Sequence, residues 1–116
     1  GHSSLLDRLT TIAVKKCNRY QDIITAYSLR FILSVYLDFS TCMLLDECRE
    51  DAKLFQTVFD SSKKLWAIVF FTETHPIGRT QNYGFLCLCS DASYRTFAAW
   101  PFDTINIDEL RSKNAA

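Results

Sequence analysis

Residues that bend or break a chain are scarce in this sequence. Its 116 residues include 3 glycines and 2 prolines, which excludes collagen-like and linker compositions. Neither sign of charge is in excess, because 13 Lys and Arg balance 13 Asp and Glu for a formal net charge of zero. Nucleic-acid affinity rests on clustered Lys and Arg, so a phosphate-binding module is not expected. No apolar run approaches the roughly 18–20 residues that a membrane helix needs. No basic segment followed by an apolar one marks a secretory signal. The glycine-rich nucleotide loops, the H-E-x-x-H zinc motif and the G-x-S-x-G nucleophile turn are all missing.

What is present suits a single compact domain. The chain is 48% hydrophobic and 22% charged, too apolar for disorder and long enough for one core. Residues 1–4 read as a protease-cleavage remnant and N-cap, 5–113 as one globular α+β domain, and 114–116 as a tail that frays.

Apolar residues from Leu5 to Tyr27 recur in steps of three and four, including Leu9, Ala13, Cys17 and Ile24, and predict an amphipathic helix. Ser3 or Ser4 can cap it, with Asp7 in its first turn. At Leu29 the period changes to two: Leu29, Phe31, Leu33, Val35, Leu37 and Phe39 alternate with residues such as Arg30, Ser34 and Asp38. A half-buried strand fits best. Ile32 and Tyr36 leave room for the rival reading, in which the first helix continues to residue 38.

A second helix is expected from a cap at Ser40 or Thr41. It carries Leu44, Leu45, Cys48, Ala52, Phe55, Val58 and Phe59 inward, and Asp46, Glu47, Arg49, Glu50, Asp51 and Lys53 outward. The run 65–73 (LWAIVFFTE) and the run 83–90 (YGFLCLCS) are apolar on both faces and predict central strands. His75-Pro76 and Gly78 mark the loop between them. Asp91-Ala92 reads as a turn and 94–100 (YRTFAAW) as a third strand of an antiparallel meander. Asn106 can then cap a short final helix. The stretch from Thr41 to Lys64 is long enough for a helical crossover, so the first two strands are expected to run parallel.

Five cysteines, at 17, 42, 48, 87 and 89, form no C-x-x-C pair. They fit small buried hydrophobes in a reducing compartment better than a zinc site or a disulfide set. A Cys–His dyad with His75 lacks an orienting group and an oxyanion cradle. The carboxylates of Asp46, Glu47, Glu50 and Asp51 sit opposite an apolar stripe, as a solvated face does. Arg79, Arg95, Tyr83, Tyr94 and Phe97 make a weak RNA platform at most, and core packing explains the aromatics better.

With helices preceding a three-strand antiparallel meander, the element order resembles roadblock/longin-like modules and NTF2-like cones at the level of fold, without a shared motif. Fold alone carries no function across. The expected architecture is therefore α+β, a mixed and largely antiparallel sheet in the order α-β-α-β-β-β-α, with the two long helices packed on one face.

The expected function is a non-catalytic protein–protein interaction or oligomerisation domain, an adaptor or scaffold part of a larger intracellular assembly, cytoplasmic or nuclear. No cofactor, metal or catalytic residue is expected. A protein partner or a second copy is, and neither nucleic acid nor a membrane span. The alternative is a small-ligand-binding or enzymatic NTF2-like cone. Phe71, Leu86, Leu88 and Phe97 are the expected interface or second-face residues, because strands apolar on both sides need cover on both sides.

Overall fold

A computed structural model describes residues 2–37, 45–74, 82–99 and 103–114. Helix α1 spans His2–Ala26 and strand β1 Phe31–Tyr36. Helix α2 (Leu45–Glu50), a 3-10 turn (Ala52–Phe55) and helix α3 (Gln56–Ser61) lead into strand β2 (Leu65–Thr74) and strand β3 (Asn82–Cys89). Helix α4 (Asp91–Ala98), strand β4 (Asp103–Asn106) and helix α5 (Ile107–Asn114) complete the order. The fold is α+β with a four-stranded mixed sheet in the order β1-β2-β3-β4.

The periodic signals at the start of the chain hold. Helix α1 buries Leu9, Ala13, Cys17 and Ile24. Because it begins at His2, Ser3 and Ser4 lie inside it and do not cap it. The switch of period ends the helix before β1: the Leu29 amide donates to the Ile24 carbonyl at 2.9 Å, and Ser28 takes a left-handed conformation with φ 52°. A six-to-one hydrogen bond over a left-handed residue is a Schellman ending, which usually has glycine at that position.

The expected second helix is broken in three. Its apolar residues Ala52, Phe55 and Val58 are all buried at a spacing of three. A 3-10 turn of three residues per turn aligns them toward the core better than an α-helix does. The capping residues expected at Ser40 and Thr41, and the loop containing His75, lie outside the described residues.

Strands β1 and β2 pair in parallel, as the crossover length implied, and β2 and β3 antiparallel, as expected of the first two strands of the meander. The meander ends there. Residues 91–98 form α4 rather than a third strand, and β3 pairs in parallel with β4. Strand propensity of Tyr94, Thr96 and Phe97 misleads here. Ser90, extended at φ −78° and ψ 166°, and Asp91 after it start a helix that carries the chain over the sheet. The final helix was expected over Ile105 to Lys113; Ile105 and Asn106 belong instead to β4, and α5 starts two residues later, at Ile107. Asn106 does cap it, its Oδ1 accepting from the amides of Asp108 (3.0 Å) and Glu109 (3.4 Å).

Two cores result. On the first face Leu33, Ile68, Phe70, Leu86 and Leu88 meet Leu9, Ala13, Cys48, Phe55 and Val58 from the helices, with Ile107 closing the end. On the second face Ala67, Cys87 and Cys89 lie under Phe97 of α4, with Trp66 and Val69 beside them. Alternation alone places Trp66 with Ile68 and Phe70, and this is wrong. Phe31 pairs with Leu65 but Ile32 with Ala67, so Trp66 is the extra residue of a bulge and turns to the second face. There its ring lies 5.0 Å from Phe97, with the Arg30 guanidinium 4.3 Å over it. Among the described residues no helix is long and apolar enough to cross a membrane.

Left-handed backbone costs a residue with a Cβ about 1–2 kcal/mol. Ser28→Gly is therefore expected to raise the unfolding free energy by about 1 kcal/mol, measured by urea titration, with no change in oligomeric state.

Candidate functional site

The second sheet face is divided. Helix α4 is fixed over the β3–β4 side by a polar lock at its start. The Ser93 hydroxyl contacts the Trp66 carbonyl (3.0 Å) and the Ser90 carbonyl (3.1 Å). The Asp91 amide donates to Asp108 Oδ2 at 2.7 Å, and Asn106 Nδ2 donates to Asp91 Oδ1 at 3.0 Å. Beneath α4 the face is closed, and Ser93 and Phe97 are buried.

On the β1 side no described element covers the same face. Cross-strand pairing aligns Tyr36 with Phe71 and Phe71 with Phe85. The rings form a chain, Tyr36–Phe71 at 5.2 Å and Phe71–Phe85 at 6.3 Å. A shallow depression of about 440 Å³ lies among Ser34, Val69, Phe71 and Phe85. Ile32 and Tyr36 at its margin are 39% and 44% exposed. All six side chains are uncharged, so the face repels no apolar surface brought against it.

Of the four residues expected at an interface, the structure places only Phe71 in this open region. Leu86 and Leu88 are fully buried in the first-face core, because Leu86 pairs with Phe70 and Leu88 with Ile68. Phe97 is buried under its own helix. Val69 was expected on the same face as Phe71, whereas Ile32, Tyr36 and Phe85 were not named beside it, although they follow from the alternation of β1, β2 and β3 once Phe71 is aligned with Phe85.

The cysteines are placed for packing. Cys87 and Cys89 share the second face, both buried. The hydrogen bond from Cys87 to Cys89, then burial, then the neighbouring thiol's charge hold the Cys87 thiol well above its ordinary value. Burial first, then the carboxylates of Glu47 and Asp51, push Cys48 up to about 12. Cys48 and Cys87, held protonated in this way, are poor nucleophiles, whereas the same hydrogen bond from Cys87 lowers the Cys89 thiol. The Ser62 hydroxyl lies 2.8 Å from the sulfur of Cys17. Cys42 and the dyad partner His75 lie outside the described residues.

On α2, Asp46 pairs with Arg49 at 2.9 Å, and Arg49 also pairs with Asp103 of β4. Both pairs are exposed and worth little individually. Among the described residues no three His, Cys, Asp or Glu side chains gather as metal ligands. For the aromatic platform, Arg95 and Tyr94 are exposed on α4 while Phe97 is buried, so the three do not line one surface. Arg79 lies outside the described residues. Comparison of the chain with protein-family models, with curated proteins and with solved structures gives no match.

The raised Cys48 thiol has a consequence for stability. The folded chain holds this proton more tightly than the unfolded chain, so its contribution is intact below the ordinary value of 9.0 and is lost as pH rises from there toward about 12. Across that interval the urea midpoint of the native chain is expected to fall more steeply than that of Cys48→Ala.

Proposed function

We propose that the chain is a non-catalytic protein–protein interaction domain that associates with a second copy of itself through the open half of the second sheet face. The observation that carries this reading is the continuous apolar surface of Ile32, Tyr36, Val69, Phe71 and Phe85 beside a region that α4 closes. A surface without charge is compatible with its own image, and a two-fold pair of identical patches is the commonest way to bury one. Each large side chain taken from water contributes about 1.5–3 kcal/mol, against which the loss of free motion on association is set. An adaptor or scaffold role in a larger assembly is part of the same proposal, supported by the contact area that this surface offers.

Sedimentation equilibrium at micromolar concentration tests the reading. The native chain is expected at twice its 13.4 kDa mass, and Phe71→Glu as a monomer with an unchanged far-UV spectrum. A native chain that stays at 13.4 kDa rules out self-association by this face.

A further inference from the structure

A second surface, separate from that face, runs along the outer edge of the sheet. Strand β1 ends the sheet order, and among the described residues it pairs with β2 alone. The Leu37 amide donates to the Phe71 carbonyl at 2.8 Å. Successive backbone groups point to opposite sides of a strand, so those of Leu33 and Val35 also turn toward β2, and those of Ile32 and Ser34 turn outward. The six-residue sequence FILSVY contains no charge, proline or glycine, the features with which open edges are usually blunted.

Helix α1 forms a wall beside this edge. A groove of about 350 Å³ is lined by Arg8, Leu9, Ile12 and Lys16 of α1 and by Leu33 to Leu37 at the edge of the sheet. Leu9 and Leu33 form its apolar floor, and Ile12 above them is 37% exposed. Arg8, Ile12 and Lys16 are spaced four apart, which puts them on one side of the helix about 6 Å from one to the next. Alternate residues of a strand are about 6.6–6.8 Å apart. The two intervals match, so alternate side chains of a strand added to β1 recur at the spacing of these three: cation, apolar, cation.

We propose that this groove binds an extended peptide segment as a fifth strand on β1, with an acidic, an apolar and an acidic side chain at alternate positions meeting Arg8, Ile12 and Lys16. Backbone hydrogen bonds to the outward groups of β1 give affinity, and the α1 wall gives selectivity, as in strand addition generally. A second copy of β1 is the weaker occupant, because FILSVY has no acidic side chain to offer the two cations. The proposal does not depend on self-association through the second face.

The test uses the Phe71→Glu chain, so that events at the second face are kept out of the measurement. The probe is a capped peptide, Thr-Glu-Thr-Val-Thr-Glu-Thr, compared with the same peptide carrying Lys for Glu. The acidic peptide is expected to bind saturably below about 1 mM, to shift the amide resonances of Ile32 and Ser34 and to slow their hydrogen exchange. The Lys peptide is expected to bind at least about tenfold more weakly. Arg8→Glu with Lys16→Glu, both at exposed positions, is expected to reverse the preference while leaving the fold intact. Equal binding of both peptides, no saturation by about 1 mM, or shifts confined to Val69 and Phe85 would overturn the proposal. So would protection of the Ile32 and Ser34 amides that rises with protein concentration without peptide, since a second copy would then hold the edge.

Discussion

The central strand pair, β2 and β3, is apolar on both of its faces, and the rest of the fold is arranged by the need to keep water from each. On one side Ile68, Phe70, Leu86 and Leu88 require cover; on the other Ala67, Cys87 and Cys89 do. Among the described residues the first side has a helical layer built from α1, α2, the 3-10 turn and α3, and the second has a partial one built from α4. The surface left over is the open region around Phe71.

The division of labour between faces follows from strand direction. Strands β1 and β2 run one way and β3 and β4 the other, while each parallel pair steps sideways in the same sense across the sheet. Crossovers between parallel strands are right-handed almost without exception. Reversing the strand direction therefore moves the second crossover to the opposite face. This is why α2 and α3 cover the first face and α4 the second. An all-antiparallel meander has no crossover at this point and would have left the second face without a helix over Cys87 and Cys89.

The sequence was legible where burial is local and periodic. Steps of three and four reveal α1, alternation reveals β1, and continuous apolar runs reveal β2 and β3, because each pattern reports a face set by neighbouring residues. It was not legible where tertiary demand decides. Residues 94–98 have strand-like side chains but form a helix, because a parallel partner for β3 requires the chain to cross back over the sheet. The bulge at Trp66 turns one aromatic ring to the other face, and no period contains that information. The same limit applies to the candidate site. Phe71 was identifiable as a second-face residue, yet its neighbours Tyr36 and Phe85 depended on a pairing register that the sequence leaves open.

The polar lock at the start of α4 also bears on the order in which the molecule assembles. The first amide of α4 is capped by Asp108, and the Asp91 side chain is held by Asn106, so the helix takes its partners from residues that leave the ribosome after it does. As an eight-residue segment it is too short to persist alone in water. Until β4 and the first turn of α5 have emerged, Cys87, Cys89 and Trp66 stay open to the surroundings. The part of the second face under α4 therefore closes only after β4 and the start of α5 have been made, and apolar surface exposed until then is prone to aggregation.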